Sequence, residues 1–322
     1  MLKYTVKRLI LVIPVILGVM LIVFFFQSVS GDDPVSQILG AGATVEQREA
    51  KREELGLNDP ILIQFGRYVW NFFTTGSLGT SYKSSQPVSQ ELMERFPVTI
   101  KLALLSVGLG TLLGIPLGVW AAVKQYTATD SVIISLSILS QSMPSFWLAL
   151  LLISLFAVKL GWVPVSGILD PKGWILPIVV VTFASMAMII QVTRAAMLET
   201  IRQDYIRTAK SKGQTPANIT FHHALRNSMI PILNAIANTL GVQLGGALIV
   251  ESVFGMPGIG KYAVDAINAR NYPAVLGSVV VLAITFTIVN LIVDLLYAAV
   301  DPRVKTSLIA KGRTRKKTTE EA

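Results

Sequence analysis

Residues Glu199 to Pro231 read E-T-I-R-Q-D-Y-I-R-T-A-K-S-K-G-Q-T-P-A-N-I-T-F-H-H-A-L-R-N-S-M-I-P and separate two apolar runs, each long enough to cross a bilayer. Gly213 favours the left-handed conformation that ends a helix, so a first charged helix is predicted to run to about Lys212. Thr215 is a candidate N-cap, and Pro216 occupies the first helical position, where its missing N–H is harmless. The stretch therefore predicts two short helices separated by a break.

The second of these helices is predicted to run from Pro216 toward Asn227 and to place Phe221 and Leu225 on one face with Ser228. A polar segment between two membrane spans is exposed. A helix–break–helix of this kind is well shaped to enter a groove on a soluble partner, so we expect the segment to recognise another protein.

The composition indicates an integral membrane protein. Of the 322 residues, 52% are hydrophobic and only 15% are charged, whereas a soluble globular chain carries about 25% charged residues. The mean hydropathy is +0.60. The chain has no cysteine, which excludes thiolate catalysis, disulfides and cysteine-based metal sites. The net charge of +9 is not arranged as a basic stripe with interleaved aromatic residues, so no nucleic-acid partner is expected.

Apolar runs divide the chain into an all-α polytopic protein with six predicted transmembrane helices. The predicted spans are residues 9–29, 97–123, 131–160 (broken near Pro144), 174–196, 230–250 and 278–300. The first run could instead be a signal peptide cleaved near Ser28–Ser30, but its 21 residues exceed the usual apolar region of about 7 to 15, which favours a retained span. Gly110, Gly114 and Gly118 share one face of the second span and allow another helix to approach closely.

Four regions follow from this division. They are 1–30 (N-terminal head and first span), 31–96 (an extracytoplasmic helical segment), 97–300 (five spans with the segment 199–229) and 301–322 (a basic tail). In the second region, the Thr44–Gln47 capping box predicts a helix that ends at Leu55–Gly56. Residues 61–73 predict an amphipathic helix whose Trp70, Phe72 and Phe73 suit a membrane interface. This region is either a cap over the outer face or a docking surface for a protein that delivers substrate.

The distribution of basic residues predicts the orientation. With the N-terminus inside, the inner segments carry 17 Lys and Arg residues, and the short outer segments carry 3. The rule that inner loops are positive then places both termini and the segment 199–229 in the cytoplasm.

Two motifs in the polar segment carry a family resemblance. R-T-A-K-S-K-G, followed eighteen residues after its glycine by Pro231, resembles the cytoplasmic coupling motif of ABC-importer permeases. A-L-R-N-S-M-I-P is similar to the dipeptide, oligopeptide and nickel branch of that family. Arg207, Thr208 and Ala209 replace the general E-A-A, and the gap to Pro231 is longer. Both departures resemble the peptide branch.

The resemblance implies a type I ABC importer-like permease, without catalysis or a bound cofactor of its own, in a bacterial or archaeal cell membrane. The implied partners are a second homologous permease, two cytoplasmic ABC ATPases that hold ATP and Mg, an extracytoplasmic substrate-binding protein, the lipid bilayer and a peptide substrate. The residues implied to couple the chain to the ATPases are Arg207, Ala209, Gly213, Thr215, Pro216, Phe221, His223, Leu225 and Arg226.

A second motif, Gly255 to Lys261, fits the phosphate-binding pattern G-x-x-x-x-G-K. However, Tyr262 stands where a Ser or Thr would bind Mg²⁺, and neither the expected strand before the motif nor the expected helix after it is predicted. The predicted topology also places this loop outside. A tight re-entrant or capping turn is favoured, and V-F-G-M-P-G-I-G is similar to the permease family here. The candidate residues for an outer gate are Gly255, Pro257, Gly258 and Gly260.

Polar residues within the spans are candidates for a translocation path, because an unpaired polar group in hydrocarbon is costly. The candidates are Gln141, Asn234, Asn238, Gln243 and Asp294. Hydrogen bonding between helices is the structural alternative for each of them, and Gln191 raises the same question. For Asp294 we favour a structural role, with a salt bridge to Arg194 or to a neighbouring helix.

Other classes of function are less well supported. His222 and His223 are adjacent and point about 100° apart on a helix, so no metal site is expected. The sequence contains no Ser/His/Asp or paired-carboxylate pattern that would suggest a hydrolytic enzyme. A secondary transporter that needs no ATPase is the alternative from another class, and nickel or glutathione is the alternative cargo within the family.

Overall fold

The computed structural model describes residues 2–29, 34–40 and 42–300, and within these ranges the regular structure is helical apart from one β-bridge between Thr80 and Pro87. The first helices are α1 (Leu2–Val29), α2 (Pro34–Leu39), α3 (Val45–Glu54), α4 (Ile61–Thr75), α5 (Val88–Val123), α6 (Ala128–Ser142) and α7 (Ser145–Leu152, continued by a π-helix at Ile153–Lys159). A 3₁₀ turn (Pro171–Trp174) leads into α8 (Ile175–Ile201), and α9 (Asp204–Ser211) and α10 (Pro216–Asn218, continued by a π-helix at Ile219–Leu225) follow. The last helices are α11 (Arg226–Gly246), α12 (Leu248–Val253), α13 (Ile259–Asn268) and α14 (Tyr272–Val300).

Among the described residues, three helices are long and apolar enough to span a membrane: Val88–Val123, Pro171–Ile201 and Tyr272–Ile292. The pair α6 and α7, with the π-helix that follows, would make a fourth, although its two halves are bent by 98°. The chain is thus an all-α polytopic membrane protein. The count of six spans stays a prediction.

The bend confirms the predicted break at Pro144 and is sharper than a kinked span would suggest. Met143 is extended (φ −78°, ψ 124°), as expected for a residue whose α conformation is disfavoured by the following proline. After the break, α7 and the π-helix that follows it pack on the bundle through Ala149, Ile153 and Ala157. Their buried neighbours are Leu102, Leu176, Val180, Val181, Ala247, Val250, Phe254 and Met256.

Helices α5 and α8 approach each other along the predicted glycine face. A Cβ atom added to Gly118 would lie 2.6 Å from Thr193 Cβ and 2.8 Å from the carbonyl oxygen of Ile190. At Gly110 and Gly114 the nearest atoms of α8 would be 3.1 and 3.0 Å away. The small residues therefore allow a backbone-to-backbone approach that larger side chains would prevent.

The helix that begins at Pro216 does not end near Asn227, and on this point the prediction was wrong. It passes through the π-helix and continues as α11 to Gly246. No glycine lies between Pro216 and Gly241 to supply a left-handed stop, and Pro231 is accommodated inside α11. The second half of the polar segment and the following apolar run therefore form one helical rod.

The region between α1 and α5 has the predicted helices. The Thr44 backbone N–H donates to Gln47 Oε1 (3.0 Å), and the Gln47 N–H donates to Thr44 Oγ1 (3.3 Å), which confirms the capping box. Helix α4 ends two residues later than expected, at Thr75, where Gly76 is left-handed (φ 68°).

Candidate functional site

Helix α9 is anchored to the bundle on one side and exposed on the other. Ile206 and Ala209 are buried in a cluster with Val119 and Ala122 of α5 and Met197 of α8. Because these α5 and α8 residues lie near the ends of their helices, the cluster joins α9 to one end of the bundle. We call this the elbow end, and we call residues 204–225 the elbow.

The break in the elbow has the predicted geometry. Gly213 is left-handed (φ 75°), and its N–H donates to the carbonyl oxygen of Lys210 (3.0 Å). Thr215 Oγ1 accepts from the N–H of Asn218 (3.3 Å), and Pro216 occupies the first turn of α10. Residues 211–217 are all exposed, so the break presents its backbone to a partner or to solvent.

The structure divides the nine coupling candidates into two groups. Arg207, Gly213, Thr215, Pro216, Phe221 and Arg226 are exposed. Ala209 is buried, and His223 and Leu225 are partly buried. The exposed group is available to a partner, whereas Ala209 and Leu225 belong to the cluster that holds the elbow on the bundle.

Phe221, Leu225 and Ser228 do not share a face, and the prediction that they do was wrong. The π-helix changes the angular spacing, so Phe221 is 58% exposed while Ser228 is 1% exposed. Ser228 Oγ lies 2.8 Å from Thr200 Oγ1 and donates to the carbonyl oxygen of Ala196 (3.1 Å). Ser228 therefore ties the rod to α8 just above the elbow.

A partly buried ion pair lies near the same end. Arg194 on α8 donates from Nε to Asp130 Oδ1 and from Nη2 to Asp130 Oδ2, both at 2.6 Å. The N–H of Tyr126 also donates to Asp130 Oδ2 (3.0 Å). Among the described residues the partner of Arg194 is thus Asp130 on α6. The salt bridge predicted for Asp294 involves a side chain that lies outside the described residues.

The opposite end of the bundle is organised by a carboxylate that the sequence reasoning missed. Glu251 is fully buried, and its Oε1 accepts from Thr99 Oγ1 on α5 (2.7 Å). Its Oε2 accepts from the N–H of Lys261 (3.0 Å). A Cβ atom on Gly258 would lie 2.3 Å from this carboxylate, so the glycine leaves room for it.

These contacts explain why Gly255–Lys261 is not a phosphate loop. The N–H of Ile259 donates to Thr99 Oγ1 (2.9 Å), so the first amides of α13 already face protein oxygen atoms. The Glu251 carboxyl group accepts from another of these amides, that of Lys261. A helix thus does follow the motif, and on this point the prediction was wrong. Of the four gate candidates, Gly258 and Gly260 are buried, Gly255 is partly buried and left-handed (φ 64°), and Pro257 is exposed.

Helix α13 is held against α5 by a second contact. Tyr262 donates its hydroxyl to Glu91 Oε2 (2.5 Å), and the Arg95 guanidinium lies 4.5 Å from the centre of the Tyr262 ring. Burial and the hydrogen bond to Glu91 raise the pKa of Tyr262 well above its usual value. The phenol therefore stays protonated and keeps its role as donor.

The polar candidates in the spans fall into two kinds. Gln191 Nε2 donates to Gln141 Oε1 (3.1 Å), and Gln243 Nε2 donates to Ser185 Oγ (3.3 Å), so these residues bond between helices. Asn234 and Asn238 are exposed one turn apart on α11. Gly241, about one turn further along α11, lies against the ring of Phe286 on α14. Among the described residues no three His, Asp or Glu side chains group as metal ligands.

These features define a multi-helix membrane protein with an exposed elbow at one end of its bundle. Residues 114–306 match the family model of the binding-protein-dependent transport system inner membrane component, and residues 1–103 match the model of the N-terminal part of such components. The chain belongs to this family and is a permease component of an ABC transport system.

Named relatives match along almost their whole length. A putative peptide transport system permease protein of Brucella abortus (strain 2308) is 40% identical over 307 residues, which cover 93% of this chain and 98% of the relative. The dipeptide transport system permease protein DppB of Escherichia coli K12 is 36% identical, with 95% of this chain and 99% of the relative covered. DppB of Alkalihalophilus pseudofirmus is 35% identical, with 95% and 100% covered.

Solved structures share the fold at lower identity. An inward-facing structure of the MetNI methionine ABC transporter matches with a TM-score of 0.57 and 22% identity, covering 66% of this chain and 97% of that chain. An amino acid ABC transporter matches with a TM-score of 0.54 and 18% identity, covering 65% and 93%. The bundle therefore shares its fold with these transporters.

Proposed function

We propose that this chain is one permease subunit of an ATP-driven importer of dipeptides or oligopeptides. The peptide cargo is supported by the names of relatives that match over more than nine tenths of both chains. In the importer, a second permease completes the pathway, and two cytoplasmic ATPases bind ATP and Mg. A substrate-binding protein delivers the peptide at the end opposite the elbow. Because ATP is hydrolysed on the ATPases, this subunit carries out no covalent chemistry.

The observation that carries the proposal is the attachment of the elbow. Its exposed part, around Gly213 and Phe221, is free to meet an ATPase, while its buried part packs on α5 and α8 and continues into α11. A displacement imposed on the elbow is therefore passed to three long helices. Such a displacement shifts the population between two packings of the bundle, which is how a soluble motor can drive transport.

Charge supports the proposed orientation. The segment 194–226, which contains the elbow, holds 6 of the 17 inner basic residues, against 3 in all the short outer segments together, and this supports an elbow end that faces the cytoplasm. In that orientation the elbow lies in the compartment that contains ATP.

Exposed polar side chains support a path along this subunit. Asn234 and Asn238 on α11 and Gln141 on α6 are exposed in the single chain, and polar groups in a span need water or protein beside them. We assign them to the surface shared with the second permease and the transported peptide. Gln243 is half-buried and bonded to α8, so its role is to hold α11 in place.

Replacing Gly213 with valine tests the coupling. A β-branched residue at φ 75° is strained by about 1–3 kcal/mol, which should distort the break, so peptide uptake by the reconstituted complex falls while its ATP hydrolysis persists. Gly161→Val is the matched control, because Gly161 also has a positive φ (65°) and open space around it but lies in the loop after α7. Uptake by Gly213→Val at the level of Gly161→Val would remove the coupling role. Competition of uptake by dipeptides, a nickel salt or glutathione identifies the cargo.

A further inference from the structure

Helix α4 has three distinct faces when its residues are placed at 100° intervals. Phe65, Tyr68, Val69 and Phe72 form the first face, which packs on a cluster that includes Ile16 and Met20 of α1 and Val280 of α14. Gln64, Arg67 and Asn71 form the second face. Leu62, Ile63, Gly66, Trp70 and Phe73 form the third.

Two polar side chains of the second face, Gln64 and Arg67, have partners within the chain. Gln64 Nε2 donates to the carbonyl oxygens of Leu57 (3.0 Å) and Asp59 (2.7 Å), and Arg67 pairs with the Asp59 carboxylate. The turn before α4 thus holds Gln64 and Arg67, whereas Asn71, further along the same face, is exposed.

The third face is apolar and uncovered. Leu62 is 78% exposed, Trp70 is 69% exposed, and Ile63 and Phe73 are each about half exposed. No charged residue lies in this sector of the helix. A tryptophan in an exposed apolar stripe, beside a polar face, is the composition typical of a helix that lies in a membrane interface.

The depth of α4 along α1 identifies what covers the third face. The rings of Phe65 on α4 and Phe24 on α1 are 5.6 Å apart and meet edge to face. Phe24 follows Leu9, where the apolar run begins, by 15 residues, which is about 22 Å of helix against a hydrocarbon thickness of about 30 Å. If α1 is tilted, these 15 residues cover less of the membrane thickness, and Phe24 lies deeper in the hydrocarbon. Helix α4 is therefore attached at the level of the membrane boundary and not above it.

We propose that α4 lies in the bilayer interface of the leaflet opposite the elbow, with its third face inserted among lipid headgroups and the first acyl carbons. The partner is a lipid surface, and the binding is apolar and aromatic. This inference goes beyond the proposed function and holds whatever the importer carries. The substrate-binding protein and the second permease are the competing occupants of this face.

Spin labels test the assignment, because the chain has no cysteine and accepts single ones without other changes. The variants Leu62→Cys and Trp70→Cys report on the third face, and Asn71→Cys, next in sequence to Trp70, is the matched control on the second face. In the complete complex, reconstituted in phosphatidylcholine vesicles, collisions with oxygen and with a water-soluble nickel chelate are measured by EPR. We expect oxygen to dominate by severalfold at positions 62 and 70, and the nickel chelate to dominate at position 71.

Each other outcome overturns the proposal. Nickel access at all three positions places α4 in water. If both oxygen and the nickel chelate are excluded from positions 62 and 70, the second permease covers the third face. If they are excluded only after the substrate-binding protein is added, that protein covers it. A second measurement needs no label: brominated lipids should quench a component of the fluorescence that is lost in Trp70→Phe. Equal quenching in the two proteins would contradict lipid contact.

Discussion

Replacing Gly118 with alanine tests the close approach of α5 and α8, which sets the spacing of the whole bundle. The added methyl carbon would lie 2.6 Å from Thr193 Cβ and 2.8 Å from the carbonyl oxygen of Ile190. Carbon atoms pack best at about 3.5–4.0 Å, so the two helices must separate by about 1 Å. One of the two obstacles is backbone, which has no rotamer with which to move aside.

The change in the free energy of unfolding caused by Gly118→Ala is the sum of two opposing effects. Overpacking of this kind costs about 1–3 kcal/mol. Alanine also improves helix propensity by about 1 kcal/mol over glycine, which hides part of that cost. Gly108→Ala on the same helix is the matched control, since a Cβ atom there would meet nothing within 4 Å. The difference between the two variants isolates the packing cost, because the propensity gain is common to both.

The assay is unfolding of the purified permease in mixed micelles with increasing dodecyl sulfate, followed by tryptophan fluorescence. We expect Gly108→Ala to equal or exceed the native free energy of unfolding and Gly118→Ala to fall about 1–3 kcal/mol below Gly108→Ala. Gly110→Ala and Gly114→Ala, with contacts at 3.1 and 3.0 Å, should lie between them. If Gly118→Ala is as stable as Gly108→Ala, the helices do not approach as described and the reasoning fails.

Two further substitutions test the buried carboxylates in the same unfolding assay. Glu251→Gln leaves one accepting oxygen where the carboxyl group has two, so it cannot accept from both Thr99 Oγ1 and the N–H of Lys261 on separate oxygen atoms, and it should lower the free energy of unfolding by about 1.5–3 kcal/mol. Asp265→Asn removes only an exposed pair and should cost less than about 1 kcal/mol. Equal losses would show that Glu251 is not the anchor of the turn. Asp130→Asn leaves Arg194 without its charged partner and should cost about 3 kcal/mol, part of which Arg194→Gln should restore in the double variant. Additive losses from the two single changes would indicate no coupling between these side chains.

Local features of the fold could be predicted because each depends on neighbours in the sequence. The capping box at Thr44, the left-handed Gly213, the N-cap at Thr215 and the break at Pro144 all lie where the residue types require them. The glycine face of α5 could also be predicted, since its spacing alone places the residues together.

Contacts between distant segments could not be predicted in the same way. Glu251 is buried because Thr99, 152 residues earlier, and the amides of α13 converge on its carboxylate. Its sequence neighbours give no sign of this. The pair between Arg194 and Asp130 escaped prediction for the same reason, since the two residues are 64 apart in the sequence and only the packing of α6 on α8 brings them together. The missing stop near Asn227 shows that a polar stretch alone does not end a helix.

The helix from Pro216 to Gly246 is continuous, so a small change in its tilt displaces one of its ends by a large distance. Its 31 residues extend for about 45 Å, so a tilt of about 10° around its far end moves the elbow by about 8 Å. If an ATPase displaces the elbow as proposed, a movement of that size requires only a slight rotation where α11 ends beside the buried Glu251 turn. In the same importer, a small change of angle at the end of α11 nearest Glu251 would become a large displacement of the elbow.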